Sequence, residues 1–401
     1  MISISDADSF FSSVEQHVKT LESSQRPNPL SIELLVGSTK RFLAKPEFRI
    51  QLDDLLSDET ARLLSHLEGP EFEIPFDWDQ AAFRIRVTRL ESVSEGLATI
   101  AGIAGRWGEG REWSAVINTI RSVHAHGQKS RSGVSKFPNL RSYPAVLTFT
   151  SYALGLVRAG RWEMLHRLMS AELQNDYRRP TRLIETLFLW TWVGTENDAW
   201  KQLPDFEERK TPLSDHLLEL TRSWSKTFVG AVPDFELLFE RFEVLGSLVY
   251  LEGSSKNSLQ ETLAPEGQDN WAFMPVGRSG WNSRNASKLI LELQSDNFRL
   301  PLLAAGFARM TRNSLICLLR IFSGQPVECA GNPPFSLGNT EATNLARINS
   351  ATQNWYQESV EGSTGFDSLR SPLPGKLLST YRNHGFWNPP HSSSSASERS
   401  V

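Results

Sequence analysis

Two histidines, His124 and His126, stand two apart in the segment RSVHAHG, where paired imidazoles would suit a metal ion. Residues two apart on a helix diverge by about 200°, so both ligate one ion only where the helix has already ended. No carboxylate or cysteine cluster lies nearby in sequence. The simpler reading places both histidines at a helix C-terminus, where the dipole favours a cation. Gly108-Glu109-Gly110 begins like a dinucleotide fingerprint, but Trp113 occupies the third glycine position. No strand pattern precedes it either, so the segment reads as an interhelical turn. The chain contains no G-x-x-x-x-G-K-[ST] loop and no G-x-S-x-G elbow. Cys317 lies in an apolar run and reads as core, and Cys329 has no partner at metal-like spacing. These residues assign no catalytic group, metal or cofactor, and an enzyme is the less favoured reading.

Local charge is more informative. Residues 52–80 hold nine acidic side chains against Arg62 alone, whereas residues 106–141 hold seven basic ones against two acidic. Arg106, Arg111 and Arg131 belong to this basic stretch, with Trp107 and Trp113 among them. A solvated helix face followed by a loop is the ordinary explanation. The sharper one is a basic face for a phosphate-rich or acidic partner, with nucleic acid as the less favoured candidate.

The elements that must position these residues are helical almost throughout. Phe10, Val14, Val18 and Leu21 recur every three or four residues. Leu52 to Leu67 follows the same rhythm and stops at Gly69-Pro70. Further helices are expected from Trp78 to Ile103 and from Trp113 to about Gly127. Tyr143-Pro144 opens a helix that stops at Ala159-Gly160, and Arg161-Trp162 begins another. So short a connection demands an antiparallel hairpin. The pattern continues over 182–193, 214–228, 234–251, 288–293 and 302–322. No stretch alternates with the period of two that a half-buried strand requires. The expected fold is all-α, an irregular stack of helical hairpins in the form of a degenerate helical repeat or bundle.

The helical period fails between Glu252 and Ser283, where glycine and proline punctuate a stretch holding Trp271, Phe273, Arg278 and Trp281. A loop this long is commonly packed or functional. Its tryptophans either cap the helical stack or form an aromatic contact patch, burial being the simpler of the two. Tryptophan and arginine carry much of the energy of protein interfaces, so Trp271, Arg278 and Trp281 are the candidate partner-binding residues.

Two segments, YPAVLTFTSYALGLVRAGRWEMLHRLM and FMPVGRSGW followed by LPLLAAGFAR, resemble a helical region of large bacterial proteins. In those proteins it follows a sirtuin-like, Toll/interleukin-receptor-like or ATP-binding effector domain. The resemblance spans about Phe83 to Met310 and implies a sensing or partner-binding role in antiviral defence. The matched segments contain no catalytic residue to carry over, and no effector domain precedes them in these 401 residues.

Composition agrees with a folded protein at 39% hydrophobic and 22% charged residues, and excludes a collagen-like or wholly disordered chain. A formal net charge of −4 argues against global attraction to nucleic acid or anionic membrane. Two cysteines and no secretory pattern in MISISDADSFFSSVEQ fit a cytoplasmic protein. The expected organisation is a helical domain over 1–323, with a subdivision near 130. An irregular extension over 324–390 and a serine-rich tail over 391–401 follow. The expected role is a protein-interaction or sensor module partnering an effector. A hydrolase of nucleic acid or nucleotide, or a structural subunit, are the alternatives.

Overall fold

The computed structural model describes residues 30–73, 78–129, 136–173, 180–195, 197–230, 232–253, 277–280 and 283–307. The chain divides into two compact units, Met1–Ser350 and Ala351–Val401, and every described residue belongs to the first. The helix expected over Phe10–Leu21 and the boundary at 323 lie outside the described residues, as does everything expected beyond it.

Helices α1 (Ile32–Leu43) and α2 (Arg49–Leu67) start the described chain. Ser31 accepts the Leu34 N–H and so caps α1, a helix the sequence pattern does not announce. In α2, Leu52, Leu55, Leu56, Leu63 and Leu67 form the buried stripe, and the helix ends before Gly69-Pro70 as expected. Asp79 caps α3 (Gln80–Trp107) by accepting from the N–H groups of Ala81 and Ala82. The N-terminal half of α3 buries one face through Phe83, Val87 and Leu90; from Gly96 to Gly105 every residue is buried. Helix α4 (Trp113–Gly127) and a single turn, α5 (Lys136–Leu140), follow.

Helix α6 (Tyr143–Ala159) is buried along its length from Tyr143 to Val157. It stops where Gly160 takes a left-handed conformation and Arg161 N–H returns to Leu156 O. Helix α7 (Trp162–Ser170) completes the expected hairpin. Helices α3 and α6 approach closely, backbone to backbone through Gly102, Gly105 and Gly155. Around this pair, α1 and α2 cover α3, while α4 packs on α2 and α6.

A two-residue antiparallel pair, β1 (Glu172–Leu173) with β2 (Thr181–Arg182), leads to α8 (Leu183–Thr186). The helix expected over 182–193 is therefore cut to four residues. Phe188, Leu189 and Trp192 are buried regardless, but tertiary bonds take over from the helical ladder. Thr191 Oγ1 donates to Ile184 O at 2.6 Å and Trp192 Nε1 to Ser142 Oγ at 2.7 Å. Helices α9 (Asn197–Trp200), α10 (Pro212–Trp224) and α11 (Phe235–Glu252) come next. A 3-10 turn over Gly277–Gly280 precedes α12 (Ser283–Gln294) and α13 (Asp296–Ala304). Helix α13 ends at Ala304, so only the first three residues of the helix expected over 302–322 are helical before the turn at Gly306, and its remainder beyond Phe307 lies outside the described residues. Helix α11 packs on α6, α7, α8 and α12. The described chain is all-α apart from the short strand pair. Among the described residues, no helix is long and apolar enough to cross a membrane.

Candidate functional site

Helix α11 places Glu236, Glu240 and Glu243 four and three residues apart, so their side chains share one face. The first turn of α10 sets Ser214 and Asp215 opposite them. Into this acidic socket the 277–280 turn inserts Arg278. Its Nε donates to Glu240 Oε1 at 3.1 Å, and its two terminal nitrogens donate to Asp215 and Glu236. Asp215 also accepts from Thr211 Oγ1 at 2.9 Å. The Arg278 side chain is 15% exposed and that of Glu240 not at all. Burial works against the guanidinium charge, but Asp215, Glu240 and Glu236 outweigh it and hold its pKa above the usual value. For Asp215 burial prevails over the pull of Arg278 and the pKa is raised.

Glu243 lies deeper and accepts from Ser214 Oγ at 2.5 Å. Burial first, then the neighbouring Glu240 and Asp215 charges, push its carboxyl up to about 8 against the opposing effects of Ser214 and Arg278. At neutral pH it is mostly protonated. Gly277, at φ +60°, lies directly on this carboxyl: a Cβ there would sit 1.9 Å from Glu243 Oε1 and 2.6 Å from Trp190 Nε1. Only glycine permits the turn to close on the socket.

The Glu243 proton has a measurable consequence. Its folded pKa of about 8 exceeds the ordinary 4.5, so the folded state retains a proton that the unfolded chain loses in that window. Its contribution to stability is complete below pH 4.5 and is lost as pH rises through 8. Glu243→Gln, neutral at every pH, should remove this loss and gain roughly 5 kcal/mol over the wild type at the upper end. Urea midpoints at several pH values check this; the same pH profile in both proteins would contradict it.

Arg278, a partner-contact candidate on its residue type, lies in the 277–280 turn. Its guanidinium is instead engaged inside the fold. Trp271, Trp281 and Arg131 lie outside the described residues. Arg106, in the last turn of α3, donates to Phe228 O at 2.7 Å and lies over the Trp107 ring at 4.2 Å. Arg111 is exposed and 3.7 Å from Glu109. The basic stretch is thus distributed over different tasks.

Other polar groups are absorbed by the core. Glu91 Oε1 accepts from Tyr143 OH at 2.9 Å and lies 2.5 Å from His216 Nε2. Tyr143 stacks on Trp192, and Trp200 packs against Tyr143 and His216. His124 is 6% exposed, and burial lowers its pKa to about 4. A neutral ring gains nothing from the helix dipole, which corrects that expectation for His124. Among the described residues, no group of three or more His, Cys, Asp or Glu side chains is placed to hold a metal ion.

The acids of the socket escaped sequence reasoning. The available signal was three glutamates on α11 spaced like its apolar residues, a pattern that burial alone turns from a solvated face into a site. No protein-family model, curated protein or solved structure matches this chain.

Proposed function

We propose that this chain is a protein-interaction or sensor module that works with an effector in bacterial antiviral defence. The segment around Arg278 is the part that a partner engages. The resemblance of residues 143–169 and 273–281 to helical regions of defence proteins supports the role. The observation that carries it structurally is the seating of the 277–280 turn by a guanidinium among three carboxylates. Buried ion clusters add little net stability beside apolar packing, yet they can specify one arrangement. A seat made of charge is also exchangeable, because an arginine or lysine from a partner competes for the same carboxylates. Such an element answers to binding without dismantling the α3–α6 core.

Co-expression with the products of adjacent genes, followed by size-exclusion chromatography with light scattering, tests this reading. A stoichiometric complex with one of them is expected. A chain that stays alone beside every neighbour, yet hydrolyses nucleotide or nucleic acid when purified, would replace it with the enzyme reading.

A further inference from the structure

We propose that the shared end of α1, α3 and α6 is a contact site for single-stranded nucleic acid, with Trp107 as the surface on which a base stacks. Helices α3 and α6 run side by side in the same direction: Glu91 meets Tyr143, and further along both helices Gly155 lies against Arg106. Their last turns therefore emerge together and bring Arg106 and Trp107 beside Arg158. The last turn of α1 adds Lys40.

The two arginines are held by neutral acceptors. Arg106 donates to Phe228 O at 2.7 Å and Arg158 Nε to the next carbonyl, Val229 O, at 3.2 Å. Burial, and then the like charge of Arg158, lower the Arg106 pKa. Among the described residues, no carboxylate lies within ion-pair reach of Lys40, Arg106 or Arg158. The acids that follow α3 are engaged elsewhere: Glu112 is buried against Arg161 at 2.8 Å, and Glu109 lies 3.7 Å from Arg111. Lys226, two residues before Phe228, is exposed as well, so the cations outnumber a single phosphate group.

Cations in last turns also answer the helix dipole, and the dipole alone would account for them. It does not account for the indole. Trp107 is 40% exposed, and no other Trp, Tyr or Phe ring is exposed among the described residues. Lys40 Nζ lies 4.8 Å from its ring centroid and the Arg106 guanidinium 4.2 Å. A cation over an exposed ring is held weakly, whereas a stacked base contributes about tenfold or more in affinity. A base therefore displaces the exposed Lys40 from the ring, and the released ammonium pairs with the adjoining phosphate. An acidic protein segment would satisfy the cations but leave the ring unused. A duplex keeps its base faces stacked inside, so an unpaired strand is the form that offers both groups.

Fluorescence anisotropy of a labelled oligothymidylate, titrated with the full chain over a series of chloride concentrations, tests the site. Saturable binding that weakens steadily with salt is expected. Trp107→Ala, with its circular dichroism retained, should weaken it about tenfold at an unchanged salt slope, and Trp107→Phe should recover most of that loss. Lys40→Gln should instead lower the logarithmic salt slope by about 0.7, the share of one phosphate contact on a single strand. Absence of saturable binding by the wild type at low salt would overturn the proposal, whether or not the variants fold. Poly-glutamate binding as tightly at equal charge would overturn it too, and would assign the surface to an acidic protein. A duplex binding as tightly as the strand, or Trp107→Ala binding like the wild type, would remove the stacking role and the proposal with it.

Discussion

Gly155→Ala is expected to lower stability by about 3 kcal/mol or more. A Cβ at this position would lie 2.3 Å from Gly102 O, 2.9 Å from Arg106 N and 3.1 Å from the Gly105 Cα. All three are backbone atoms of α3, so no side chain can swing aside. Helices α3 and α6 must separate, and the separation loosens a stretch of α3 that is buried from Gly96 to Gly105. The same substitution at Gly37, in α1, meets no atom within 4 Å. There alanine should stabilise by about 0.5–1 kcal/mol through helix propensity. Urea denaturation of the two variants should therefore move the midpoint in opposite directions. A loss at Gly155 no larger than a few tenths of a kcal/mol would contradict the close crossing.

Arg278→Ala should cost about 3–5 kcal/mol, because it leaves Asp215, Glu236 and Glu240 facing one another without their cation. The loss belongs to the stranded carboxylates rather than to the missing side chain. Glu240→Gln made in the Arg278→Ala background should consequently recover part of it, whereas alone it should destabilise. Equilibrium denaturation of the two single variants and the double variant measures this coupling. Additive losses would show that the arginine and Glu240 do not act on each other.

Several helices were legible because their apolar spacing and their stops agree. Helix α2 ends at Gly69-Pro70, and the α6–α7 hairpin turns at Gly160, where the left-handed conformation needs a glycine. The run from Leu183 to Val193 misled because it is apolar at nearly every position, and uniform hydrophobicity carries no period. Its course is decided by Thr191 and Trp192, whose bonds reach Ile184 and Ser142. Helix α1 was missed since only Leu35 and Thr39 are fully buried on it, too few to announce a face. The basic stretch read as one surface because its charges adjoin in sequence. On helices they fan out by about 100° per residue, and Arg106 turns to Phe228 O while Arg121 turns to Glu172 O. The acid socket needed residue 278 to meet residues 215–240, a pairing that only the tertiary fold supplies.

The proposed role rests on the 277–280 turn being held to α10 and α11 by charge, separately from the α3–α6 core. Native-state amide hydrogen exchange in wild type and Arg278→Lys tests that most directly. Lysine keeps the charge but cannot span the three carboxylates with a planar fork. Exchange at residues 278–280 should rise about tenfold or more, while amides of Leu97 to Ala104 keep their wild-type protection. Unchanged exchange at 278–280, or acceleration of both regions by the same factor, would contradict the account.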